Sequence, residues 1–207
     1  VITEPERPLR ADAARNVERV LRAARESFAD LGPDASLEEI ARRGGVGIRT
    51  LYRHFPRKED LVRAAVQQSV AEDLTPAIER ALDDDNPLRG LTGLIEATLS
   101  MVDRERGTLA AANNSGALTA EISAPLLDFL SLLTQRAQWA GQIRADLTPE
   151  DVHRILGMLT SVLWGMAPRS EGWRRYVVLV LDALSPDGAS PLPPAVPLQQ
   201  ADACWPV

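Results

Sequence analysis

Between Ser36 and Phe55 the sequence reads SLEEIARRGGVGIRTLYRHF, two short apolar-periodic runs on either side of a glycine corner. No other stretch restricts the fold as strongly. Gly45 suits the left-handed residue that closes a helix, Val46 can be buried in the turn, and Gly47 can cap a second helix over 48–54. Ser36 and Glu39 form an S-x-x-E pair, in which the hydroxyl caps a backbone N–H and the carboxylate reaches back. Leu37, Ile40 and Ala41 supply the buried face of the first helix, and Leu51 with Phe55 that of the second. Small Ala41 lets the two helices approach closely, so the segment is predicted to be a helix-turn-helix.

Helical spacing governs the rest, and no segment sustains a period-2 alternation between hairpin turns. Val17, Val20, Leu21, Ala24, Phe28 and Leu31 form one stripe on a helix from about Asp12 to Leu31, stopped by Gly32 and Pro33. Four arginines of that helix, Arg15, Arg19, Arg22 and Arg25, are interleaved with Glu18 and Glu26 and are expected to pair mostly within it. Pro56 ends the third helix, and a fourth begins at Arg57 with Leu61, Ala65 and Val66 inward. Further helices are expected near 75–83, 87–104 and 118–141, broken at DDDNP and AANNSG. Thr148-Pro149-Glu150-Asp151 opens one over about 149–166, and Ser170 opens the last, ending near Leu184. The expected fold is all-α. A homeodomain-like three-helix head lies within 1–70, with the helix-turn-helix at 36–55. A helical body covers 71–185, and a Pro-rich tail, expected to be extended, covers 186–207.

The formal net charge is -6, yet residues 42–58 hold six cations and no acid. Such a local field suits a polyanion. On the second helix, Ile48, Arg49, Thr50, Tyr52, Arg53 and His54 form a surface too polar and aromatic for a helix that only packs. Chemistry of other kinds has little to draw on. Two histidines, a lone Cys204 and the lack of G-x-S-x-G, Walker or H-E-x-x-H motifs lead us to expect no catalytic, metal or cofactor site. The N-terminus lacks a signal-peptide core, and the most apolar run, 155–167, is too short to span a bilayer. A cytoplasmic protein without a membrane partner is expected.

The string T-L-Y-x-H-F-P-x-K-E-D-L, after an amphipathic first helix and before a longer helical remainder, resembles the TetR family of dimeric bacterial transcriptional repressors. The specific motif covers roughly residues 12–70. The resemblance implies that the second helix of the motif enters the major groove of operator DNA. Gly47, Ile48, Arg49 and Thr50 would then face bases. Thr50, Tyr52 and His54 would touch the backbone, and Lys58, the only lysine in the chain, would meet a phosphate. Arg53 belongs to the same surface. Residue chemistry points the same way: Arg49 can give two parallel hydrogen bonds to guanine, and Tyr52 and Lys58 suit phosphate oxygens. With about four phosphates neutralised per half-site, a dimer's log–log salt slope should be on the order of -7.

One short reading helix makes few base contacts, so two heads are expected to be paired by a homodimer. The runs VHRILGMLTSVLWGMA and WRRYVVLVLDAL are apolar around much of their circumference, and a two-fold interface is expected from 149–166 and 170–184. An unknown small-molecule effector is expected in the body, with Met101, Trp139 and Trp164 as candidate lining residues. Asn113, Asn114 and Ser115 are expected in a turn, and His153 on the surface. The alternative function is a helical small-molecule-binding or protein-interaction module without DNA binding.

Overall fold

A computed structural model describes residues 6–197. Cys204 and the last ten residues of the tail therefore lie outside the described residues, as do residues 1–5. Every regular element described is helical, in two units, one formed by the chain up to Gln68 with Glu105–Ala117, the other by Ser69–Arg104 with the chain from Leu118.

The first unit contains α1 (Glu6–Leu31), α2 (Leu37–Arg43), α3 (Ile48–His54), α4 (Lys58–Ser69) and, returning from later in the chain, α7 (Arg106–Ser115). Its core gathers Val20, Leu21, Ala24 and Phe28 of α1, Ile40 and Ala41 of α2, Leu51 of α3, Leu61, Val62, Ala65 and Val66 of α4, and Leu109 and Ala112 of α7. Two members of the expected α1 stripe differ: Val17 is half-buried and Leu31, at the helix end, is 56% exposed.

α7 falls where the sequence suggested only a break. Its first turn is placed by two contacts with α1. Glu105 is 6% exposed and accepts from Arg25 Nε at 2.9 Å, while its other oxygen accepts from Thr108 Oγ1 at 2.9 Å. Arg25 thus reaches the start of α7. Gly107 then lets the backbones close: a methyl at that position would sit 2.1 Å from the carbonyl oxygen of Phe28. Asn113, Asn114 and Ser115 belong to the last turn of α7, which Gly116 ends in the left-handed conformation at φ 67°.

The second unit starts with a π-helical turn (Val70–Leu74), followed by α5 (Thr75–Asp83), α6 (Pro87–Arg104), α8 (Ala120–Trp139), α9 (Pro149–Trp164) and α10 (Trp173–Ala183). α6 is central, touching the π turn, α5, α8, α9 and α10. Gly90 allows α5 and α6 to close, since a methyl there would meet the Ala81 carbonyl oxygen at 2.6 Å. α9 opens with the expected cap: Thr148 Oγ1 accepts from the Asp151 amide at 3.3 Å and Asp151 Oδ2 accepts from the Thr148 amide at 2.9 Å. α10 begins three residues later than expected. Residues 186–197 have no regular structure and are exposed. Among the described residues no helix is long and apolar enough to cross a membrane.

Removing one member of a buried ion pair leaves the other uncompensated, at a cost of about 3–5 kcal/mol. Glu105→Ala is therefore expected to lower the thermal midpoint markedly. Gly107→Ala should lower it too, although alanine favours a helix by about 1 kcal/mol over glycine. Thermal unfolding followed by circular dichroism checks both, and an unchanged midpoint in either would contradict the packing described.

Candidate nucleic-acid interface

α2 and α3 meet at a corner made by backbone geometry. Gly45 has φ 62°, the left-handed conformation that glycine adopts without strain, and the Val46 amide donates to the Ala41 carbonyl at 3.0 Å to close α2. Ser36 Oγ accepts from the Glu39 amide at 3.2 Å. The expected reciprocal contact is absent, because the Glu39 carboxylate instead accepts from Arg42 Nε at 3.0 Å. A charge-assisted fork one turn along is stronger than a single bond to a backbone amide. Gly47 sits extended at φ -67°, ψ 140°, and its carbonyl accepts from the amides of Thr50 and Leu51.

Leu51 is fully buried and Phe55 is 8% exposed, so α3 is held by one edge. The opposite surface presents Arg49, Tyr52 and Arg53, all exposed, flanked by half-buried Ile48 and Thr50, with exposed Gly47 at the start. The predicted reading residues thus come together on one short helix. His54 is half-buried, and its Nε2 is shielded from solvent without a hydrogen-bond partner, which removes that nitrogen from the outward face.

The six cations of 42–58 are not equivalent, a feature hidden in the sequence. Arg42 is paired with Glu39, and each moves the other: the carboxyl is held below its usual range by the guanidinium, whose own pKa is raised. Arg43 Nη1 donates to Asp30 of α1 at 2.7 Å. Arg57 Nη2 donates to Asp60 at 3.0 Å, which keeps the Asp60 carboxyl low. Lys58 is half-buried, donating from Nζ to the Pro33 carbonyl at 3.0 Å with the ammonium 5.6 Å from the Phe28 ring centroid. Among the described residues, Arg49 and Arg53 alone of the six make no internal hydrogen bond or ion pair. Spacing could have suggested the Arg42 and Arg57 pairs, at i−3 and i+3; nothing local signals Asp30 or the Pro33 carbonyl.

The suggested effector residues differ in burial. Met101 is fully buried in α6, Trp164 is half-buried near the end of α9, and Trp139, the last residue of α8, is 76% exposed. Being flat and apolar did not draw Trp139 inward, because it stands where Ala140 and Gly141 turn the chain. His153 is 6% exposed rather than on the surface, beside a groove lined by Leu127, Asp128 and Glu150. Among the described residues there is no group of three or more His, Cys, Asp or Glu side chains able to hold a metal ion.

Residues 20–65 match the family model described as bacterial regulatory proteins, tetR family. Over the longer chain, the TetR transcription regulatory protein from Mycobacterium vanbaalenii is 32% identical, with 86% of this chain and 99% of that one covered and a TM-score of 0.60. The HTH-type transcriptional repressor KstR2 of Mycolicibacterium smegmatis is 25% identical over 187 residues, 81% of this chain and 90% of that protein. AibR, solved in complex with isovaleryl coenzyme A and operator DNA, shares the fold at a TM-score of 0.62 and 22% identity, with 83% of this chain and 98% of that one covered.

Lys58→Met keeps the stem and deletes the bond to Pro33. It is expected to destabilise the free protein by about 1–2 kcal/mol, as loss of a charge-assisted hydrogen bond does. Urea unfolding in the absence of DNA reads this, and an unchanged midpoint would mean that the ammonium does not hold the α1–α2 turn.

Proposed function

The chain belongs to the tetR family of bacterial regulatory proteins, and from that premise we propose that it is a repressor that binds a palindromic operator as a homodimer and is released by a small-molecule effector. The observation that carries the reading is the outward face of α3, where Arg49, Tyr52 and Arg53 stand exposed, with neither arginine paired to an acid among the described residues. A free guanidinium can offer both donors of its fork to guanine O6 and N7, whereas one already paired must first give up its carboxylate. Thr50 can add a hydroxyl and a methyl at the base edges. Tyr52 suits a phosphate oxygen, and Lys58 has N–H groups beyond the one given to Pro33 for another. Phosphate contacts of this kind fix register, and Arg49 then carries most of the sequence preference.

Pairing of two heads is supported by the outer sides of α9 and α10. Met158, Val178 and Leu179 are each more than half exposed and Tyr176 is 39% exposed, an apolar surface that a second subunit would cover. Repression is supported by the likeness to KstR2, and an effector by AibR, whose fold this chain shares. An effector would act by binding one arrangement of the dimer better than the arrangement that fits the operator. Operator binding needs the compartment that holds the chromosome, so the reading makes the protein cytoplasmic, and it contains no catalytic step.

Arg49→Ala is expected to weaken binding to a selected operator by about 10- to 100-fold and to relax the preference at its guanine. Arg42→Ala, whose guanidinium Glu39 already holds, should change affinity by less than about three-fold and leave the salt slope nearly intact. Fluorescence anisotropy over a potassium chloride series distinguishes them. Equal losses for the two variants would contradict the assignment of reading to α3.

A further inference from the structure

Residues 189–197 include four prolines and form no regular structure, so their backbone groups have few partners among themselves. Side chains from the start of α9 and the turn before it supply partners. Asp146 Oδ2 accepts from the Leu192 amide at 3.1 Å, Arg144 donates to the Ser190 carbonyl, and Arg154 donates to the carbonyls of Val196 at 2.8 Å and Pro197 at 3.3 Å. A segment expected to be extended is thus a strap held by three side chains. Asp146 is held far below the usual carboxylate range, first by Arg144 and then by the Leu192 amide. A carboxyl depressed in the folded state gives stability that is present above its unfolded pKa, near 4, and lost as pH falls through the folded value. The anchor is therefore intact at neutral pH.

Leu192 of the strap forms part of one wall of a groove of about 420 Å³, whose lining joins the apolar Leu147, Ile155, Met158, Ala183 and Leu184 to the charged Arg144, Asp151 and Arg154. The three charged groups of the lining are already engaged within the protein. Arg144 pairs with Asp146, Asp151 closes the cap on Thr148, and Arg154 serves the strap carbonyls. A polar ligand would find little free charge there, whereas an apolar surface could dock without stranding any. Helical spacing carries the groove into the uncovered face described above: Ile155, Met158 and Val162 lie three and four apart along α9, and Tyr176, Leu179 and Ala183 do the same on α10.

We propose that residues 189–197 are a fixed part of the homodimer interface, walling a groove that a second copy of this chain fills. This rests on the dimer reading of the preceding section. An isologous interface uses the same patch twice, so each change in the strap is felt at two places per dimer.

Sedimentation equilibrium of the full chain across a concentration series tests it, with three variants: Leu192→Asp, a chain ending at Gly188, and Met158→Asp. Leu192 is 42% exposed, so its replacement spares the core. Leu192→Asp and the shortened chain are each expected to raise the dimer dissociation constant about ten-fold or more, as Met158→Asp should, while helical circular dichroism is unchanged. If the native chain and Leu192→Asp dimerise equally, with only Met158→Asp impaired, the strap lies outside the interface and this inference falls while the dimer stands. If the native chain is monomeric throughout the series, the dimer reading itself falls and takes the strap with it.

Discussion

Leu51 and Phe55 are the means by which α3 is held, and the remainder of the head is arranged around making that hold rigid. A seven-residue helix has too few internal hydrogen bonds to be stable alone. It persists because Leu51 is locked into a core built by α1, α2 and α4, and because Gly45 and Gly47 fix its entry. Burial along one edge is also what exposes the other. Arg49, Tyr52 and Arg53 face outward because the i, i+4 spacing of Leu51 and Phe55 leaves them no alternative.

Electrostatics refines that geometry. Six cations in seventeen residues would repel one another, and the fold answers by pairing three with Glu39, Asp30 and Asp60 and by seating Lys58 against a carbonyl. Each pairing ties helix ends or turns together: Asp30 fastens α2 to α1, and the Pro33 carbonyl fastens α4 to the α1–α2 turn. Most of the basic run thus serves as fastening, and the positive charge left uncommitted is concentrated on α3. In the second unit the same pattern recurs at Arg144 and Arg154, which spend their guanidinium groups on the strap.

Much of this was legible in the sequence, for physical reasons that can be named. The glycine corner, the Ser36 and Thr148 caps, the α5 and α6 ranges and the exposed face of α3 all follow from local rules about φ, capping and period. What escaped was long-range. α7 reads as a break because AANNSG carries turn-forming residues, and the value of Gly107 appears only where the Phe28 carbonyl comes within reach. Arg25 binds Glu105, eighty residues away in the chain. The tail reads as extended and unpacked because proline removes donors, yet its carbonyls remain, and two arginines distant in sequence, Arg144 and Arg154, take them up. The effector residues were chosen by size and apolarity, which do not say whether a tryptophan lies inside a helix packing or, like Trp139, at its exposed end.

The most direct measurement is selection of bound duplexes from a random DNA library by the native protein. The enriched sites should be two-fold symmetric, with half-sites whose centres are separated by about one helical turn or a multiple of it and a guanine common to both. Enrichment of a single asymmetric site, or none above background, would contradict an outward α3 presented twice by a paired body.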